Sequence, residues 1–293
     1  MALRSLFSDS KHRADLAMLL VTLFWGLTFP LIRSAVSTLE PLVFVGFRFS
    51  LALLVFLPLV LFNAKARSGL RAAAVPGLIL GALAGGGYIT QTLGLTTVGA
   101  GRAAFITGLS VILVPLLSPV FRAGRPKRVE ILAALTATLG LFLLTNPRAG
   151  GITRGDLFVL ACAAIYAVYI HVLQIYLRRQ PNSTALAFVQ IVGIAALAGV
   201  FLPLSHPGPV HFSKMAWVAL LFTATFATGG TTWLQTNYQG RTTPQRTALI
   251  FSMEPVFATL FAYLMLGEVL PFIGQMGALL ILVSVIGVEL WDR

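Results

Sequence analysis

The chain of 293 residues is 57% hydrophobic and only 10% charged, with a mean hydropathy of +0.89. Soluble domains carry about 25% charged residues, so a soluble fold is excluded. The net charge of +12 lies mostly in short gaps between apolar runs, which marks the loops of a membrane protein rather than a phosphate-binding face, and no nucleic-acid partner is expected. A single cysteine, Cys162, excludes an intramolecular disulfide framework and a cysteine metal cluster.

A bilayer-crossing helix needs about 20 apolar residues, and ten runs of the chain qualify. Residues 1–14 are polar, mixed in charge and without a small-residue cleavage site, so they read as a cytoplasmic tail rather than a signal peptide. The first span, 15–33, places Trp25 and Thr28 well inside the bilayer and carries Pro30. The second, 41–62, holds Arg48, the only arginine deep in any run. In the third, 73–94, Gly77, Gly81 and Gly85 recur every four residues, a small-residue stripe for close helix approach; Gly86 and Gly87 follow, and Tyr88, Gln91 and Thr92 share one face. The fourth, 102–121, contains Pro115, and the fifth covers 129–145. The sixth, 156–177, carries Tyr166 and Tyr169, with His171 and Gln174 on another face; the seventh covers 184–203.

The eighth span, 215–238, is unusually polar, with Thr225, Thr228, Thr232, Gln235 and the following Gln239 spaced by three or four, and Trp233 among them. Such a stripe either lines a wet cavity or hydrogen-bonds neighbouring helices at about 0.6 kcal/mol per contact. The ninth, 246–266, carries Glu254 followed by Pro255, and the tenth covers 270–290. A charge at the centre of a membrane helix costs at least about 2.5 kcal/mol. Glu254 lies roughly 12 Å into its span, so it is expected to face the bundle.

Orientation follows from the basic residues. With an inside N-terminus, fifteen of the 21 fall on the cytoplasmic side, among them Arg122, Arg125, Lys127 and Arg128. Five fall outside: Arg33, Arg102, Arg148, Arg154 and Lys214. Both termini are therefore expected in the cytoplasm.

The two halves also resemble one another. At an offset of 144, "QTLGLTTVGAGRAAFI" from Gln91 matches "QTNYQGRTTPQRTALI" from Gln235, aligning Arg102 with Arg246, Ala104 with Ala248 and Ile106 with Ile250. "FWGLTFPLIR" from Phe24 aligns with "IYAVYIHVLQ" from Ile165, placing Trp25 on Tyr166 and Thr28 on Tyr169; Arg48 falls on Gln190 and Tyr88 on Thr232. Each copy holds five spans, an odd number, so the second enters the membrane in the opposite sense. The expected fold is an all-α membrane protein of ten helices, built as two inverted five-helix repeats over 15–147 and 153–291. Such repeats serve alternating access, with the substrate near the midplane where they meet.

These segments resemble both copies of the EamA-type repeat of the drug/metabolite transporter superfamily. "TLFWGLTFPLIRSA", "FVGFRFSLALLVF" and "AAFITGLSVILVPLLSP" carry the resemblance in the first half. "GDLFVLACAAIYAVYIHVLQIYLRR" and "TALIFSMEPVFATLFAYLMLGEVLPFIGQMGALLILVSVIGV" carry it in the second. It runs from about Leu16 to Gly287, and within the superfamily the chain is similar to ten-span bacterial amino-acid exporters of the YddG kind. The resemblance implies a secondary transporter of the bacterial inner (plasma) membrane in which the third–fourth and eighth–ninth helix pairs rock. Pro115 and Pro255 are the expected hinges, although they align at 140 rather than 144, one helical turn apart.

The expected substrate lining is Trp25, Thr28, Tyr88, Gln91, Tyr166, Tyr169, Thr232, Trp233 and Gln235. Amides, hydroxyls and rings suit a neutral or zwitterionic metabolite; amino acids fit, aromatic or hydrophobic ones included, and another small metabolite or drug is the alternative. A phosphorylated substrate would want several deep basic groups, and only Arg48 is present. Glu254, Arg48 and His171 are candidates for gating or coupling. The alternative for His171 is packing, and for Glu254 a structural role at the Pro255 kink, reaching Arg48 or neighbouring hydroxyls; the recurrence of "EPV" in resembling proteins with different substrates points the same way. No HExxH, paired deep carboxylates or Gly-rich phosphate loop occurs, so no enzyme, catalytic residue, metal or cofactor is expected. The partners are a small-molecule substrate and the lipid bilayer, and the chain is expected to be a monomer.

Overall fold

The computed structural model describes residues 10–123, 126–145, 152–179, 182–205, 212–266 and 271–291. Most of the tail expected over 1–14 lies outside them, as do Arg125 and Arg148. The described residues form helices α1 (Ser10–Ala35), α2 (Pro41–Leu61), α3 (Ala64–Gly94), α4 (Ala100–Gly108), α5 (Ser110–Leu117), α6 (Arg128–Thr145) and α7 (Arg154–Leu177). The second half continues with α8 (Ser183–Phe201), α9 (Lys214–Ala224), α10 (Thr231–Tyr238), α11 (Pro244–Phe251), α12 (Glu254–Leu266) and α13 (Phe272–Trp291). The ten expected spans are all present: α4 and α5 compose the fourth, α9 and α10 the eighth, and α11 and α12 the ninth.

Caps set where the helices start. Glu40, Asn63, Asn182, Ser213 and Thr243 each accept a hydrogen bond from the backbone amide three residues on, and Thr153 with Asp156 forms a capping box. The Asn63 cap explains the largest difference from the sequence reading. It starts α3 at Ala64, so the basic stretch before residue 73, expected as a loop, is helical.

Three spans depart from a regular helix. The fourth breaks at Leu109 and the ninth at Ser252–Met253, positions related by the repeat offset of 144. Pro255 accounts for the second break, because it cannot donate to the carbonyl of Phe251 four residues earlier. Pro115 sits inside α5, well past the first break, so it is not the local cause there. In the eighth span, Thr225–Gly230 forms a π-helical turn. The Thr231 amide reaches past Ala227 to the carbonyl of Phe226, which frees the Ala227 carbonyl for side chains.

Glycines let helices touch. A methyl group on Gly81 would lie 2.5 Å from the Gln190 carbonyl oxygen and 2.8 Å from Gly193, so the stripe on α3 packs directly on α8. Gly26 brings α1 against the start of α12, where a methyl group would lie 2.7 Å from the Cβ of Phe257.

Two ion pairs join the repeats. Arg246 at the start of α11 grips Asp15 in α1, with Nε to Oδ1 at 2.9 Å and Nη2 to Oδ2 at 2.7 Å. Arg102 in α4 grips Asp156 in α7, at 2.7 and 2.9 Å. Arg102 and Arg246 are repeat equivalents at 144, and Asp15 and Asp156 at 141. Ten alternating spans put the starts of the first and ninth on one face and the starts of the fourth and sixth on the other. The pairs obey that rule, as inverted repeats require.

Candidate functional site

The first and sixth spans, paired by the repeat, meet at their aromatic residues. Trp25 and Tyr166 lie edge to face at 5.5 Å and 70°. Phe251, at the last turn of α11, closes on Trp25 at 5.0 Å and 65°. Tyr88 of α3 meets Tyr166 at 5.8 Å and 76°. Gly87 permits this last contact, since a methyl group there would lie 2.5 Å from the Tyr166 ring.

These four rings border a cavity of about 20 Å³, space for on the order of one water-sized group. Its polar walls are Thr28 of α1, Gln91 of α3, Thr107 of α4, Ser110 of α5 and Glu254 of α12, and Ile170 completes it. No lining residue is more than 8% exposed, so the cavity walls are buried in this conformation. It draws on both repeats and lies where both half-helix breaks point inward. Ser110 and Glu254, equivalent at 144, are the first residues of α5 and α12.

A hydrogen-bond hub stands behind the rings. The Ala227 carbonyl freed by the π turn accepts from Trp25 Nε1 at 3.2 Å, the Tyr88 hydroxyl at 3.3 Å, Arg48 Nη2 at 3.5 Å and Thr231 Oγ1 at 2.9 Å. Arg48 is wholly buried; its Nε donates to Thr228 Oγ1 at 2.9 Å and its guanidinium lies over the rings of Tyr88 (4.7 Å) and Phe49 (5.3 Å). Its Nη1 has no hydrogen-bond partner among the described residues. The sequence suggested that Glu254 might reach Arg48 or neighbouring hydroxyls. Instead Arg48 turns to the eighth span, and the Glu254 carboxylate makes no hydrogen bond or ion pair within the described residues.

The other expected residues are spread more widely. Tyr169 packs edge-on against Tyr166, and its hydroxyl donates to Gln190 Oε1 at 2.8 Å, behind the cavity. Thr232 is buried in α10 outside the lining. Trp233 packs with a separate cluster around Ala52, Phe56 and Ile191. Gln235 donates to Gln239 Oε1 at 2.7 Å within the span, and Gln239 in turn to the Ile170 carbonyl at 2.8 Å, so Gln239 ties the polar stripe to the sixth span as Thr228 ties it to Arg48. His171 stacks on Phe121 at 5.0 Å and 8°, with Nε2 2.9 Å from the Val114 carbonyl, away from the cavity.

Phe251, Thr107, Ser110 and Ile170 line the cavity without having been expected there. Two signals were available: Phe251 lies one turn before Glu254, and Ser110 is its repeat counterpart.

Comparison with known proteins places the chain. The profile of the EamA-like transporter family matches twice, at residues 12–146 and 153–290. An uncharacterized transporter of Archaeoglobus fulgidus is 34% identical over 278 residues, covering 94% of this chain and 86% of the relative. The uncharacterized transporter YyaM of Bacillus subtilis is 24% identical over 289 residues, covering 94% and 93%. A solved crystal structure superposes with a TM-score of 0.78 at 19% identity, covering 95% of this chain and 96% of the other; it supports the fold alone.

Proposed function

The chain belongs to the EamA-like transporter family, and from that premise we propose that it exports amino acids, aromatic or hydrophobic ones included, across a bacterial inner membrane by alternating access. The chain is a multi-pass membrane protein; in this reading both termini are cytoplasmic, a tail over 1–14 precedes repeats over 15–147 and 153–291, and the working unit is a monomer. The observation that carries the reading is the small, buried cavity shared by the repeats, where Trp25, Tyr88, Tyr166 and Phe251 offer rings and Gln91, Ser110 and Glu254 offer polar groups. Rings and amides of this kind suit a zwitterion with an apolar side chain. The cavity is smaller than any amino acid, so loading requires the repeats to part; the breaks before α5 and α12, with Pro255 beside the second and Pro115 within α5, supply the bending points. Arg48, Glu254 and His171 serve gating or coupling in this scheme.

Counterflow in proteoliposomes tests it, with a panel of amino acids inside and a labelled one outside, with and without a pH gradient. Accumulation driven by at least one aromatic or branched amino acid is expected. Tyr88→Ala or Gln91→Ala should abolish it while membrane abundance stays at the wild-type level. Unchanged exchange by both variants would refute the cavity as the substrate site.

A further inference from the structure

We infer that this cavity is an ammonium site: the Glu254 carboxylate, boxed by Trp25, Tyr166 and Phe251, takes the protonated amine of the substrate, and the amine rather than the carboxylate is the group the transporter reads. The inference rests on the transport reading above and deepens it.

The first reason is the state of the carboxylate. Glu254 is 5% exposed, borders the cavity and has no hydrogen bond or ion pair within the described residues. A buried carboxyl group without a counter-charge is costly to ionise, and an ammonium arriving in the cavity supplies the counter-charge that ionisation needs. The position suits a carboxylate otherwise, since Glu254 opens α12, where the amide dipoles favour negative charge.

The second reason is where the donors point. An anionic substrate would need donors facing the cavity. Yet Trp25 Nε1, the Tyr88 hydroxyl and two of the Arg48 nitrogens, Nε and Nη2, turn to the Ala227 carbonyl or Thr228, and one N–H of Gln91 Nε2 goes to Thr107 Oγ1 at 3.5 Å. The cavity keeps the Glu254 carboxyl group, the hydroxyl oxygens of Thr28, Thr107 and Ser110, and ring surface. Thr28 Oγ1 donates to the Trp25 carbonyl at 2.7 Å and so offers a lone pair, and an ionised Glu254 accepts only.

The third reason is the box itself. The rings of Trp25, Tyr166 and Phe251 meet at 65° and 70°, so they stand as walls at a corner rather than as a flat stack. All three border the cavity, and a ring face presented to a cation attracts it, most strongly where water is excluded. The 20 Å³ between them matches an ammonium head in size.

Thermal unfolding of the purified full-length protein in detergent tests the assignment with three probes: phenethylammonium, its neutral N-acetyl derivative and phenylacetate. Phenethylammonium is expected to raise Tm in a saturable way. Half-saturation by the N-acetyl derivative should need about tenfold more ligand or greater, and phenylacetate should give no shift. Glu254→Gln should weaken phenethylammonium by about tenfold or more, and Trp25→Leu likewise. Equal shifts from the charged and neutral probes, or no shift from phenethylammonium in the wild type, would overturn the inference, and neither result needs a folded variant. Counterflow reports separately: absence of exchange of any solute, with phenethylammonium still bound, would refute transport and leave the ammonium site standing.

Discussion

Gly87 shows how little room individual residues have around the cavity. A methyl group there would meet the Tyr166 ring at 2.5 and 2.8 Å, and that ring is already held edge-on by Trp25, Tyr88 and Tyr169. Gly87→Ala is therefore expected to cost about 1–3 kcal/mol of stability and to raise the concentration of substrate needed for half-maximal counterflow. A variant with wild-type transport and melting would show that Tyr166 has room to move. At this scale the sequence was legible where chemistry is conspicuous. Trp25, Thr28, Tyr88, Gln91 and Tyr166 stood out as deep polar or aromatic residues, and all five border the cavity. Phe251, Ile170 and Thr107 did not, because an apolar or hydroxyl residue in an apolar run looks the same whether it faces lipid, protein or a cavity. Trp233 stood out equally yet packs with Phe56 and Ile191, since helical spacing does not say which neighbour lies opposite.

Helices and half-helices carry the symmetry that single residues only hint at. The prolines of the fourth and ninth spans are offset by 140, but the breaks themselves fall at 144, so the repeat preserves the bend rather than the residue that favours it. The spans were readable because a helix in lipid must satisfy its own backbone and cover itself with apolar side chains over a fixed length. The π turn at Thr225–Gly230 was not, because its register depends on which side chains claim the Ala227 carbonyl, and those come from α1, α2 and α3. The ion pairs Asp15–Arg246 and Asp156–Arg102 are likewise equivalent across the repeats. Asp15→Asn and Asp156→Asn are each expected to lower stability by about 1–3 kcal/mol, read as a fall in Tm. A large effect in one variant and none in the other would contradict the equivalence. At the α1–α12 crossing, Gly26→Leu should prevent transport, because the added side chain meets the Phe257 Cβ and the Glu254 carbonyl; normal counterflow would show that this crossing opens freely.

For the whole molecule, the two ion pairs join one repeat to the other at the starts of oppositely placed spans, and the cavity draws its walls from both repeats. On the proposed alternating-access reading, the body opens toward one face by parting the pair there while the other holds. The central claim is that the cavity is reached from each side of the membrane in turn. Ser110 lines the cavity at the start of α5, and Cys162, the only native thiol, is buried outside the lining. The direct measurement is labelling of Ser110→Cys, in a chain also carrying Cys162→Ala, by a membrane-impermeant maleimide applied to right-side-out or inside-out vesicles. Labelling from both faces, slowed in each case by a saturating counterflow substrate, is the predicted result. Labelling confined to one face, or unaffected by substrate, would contradict the account.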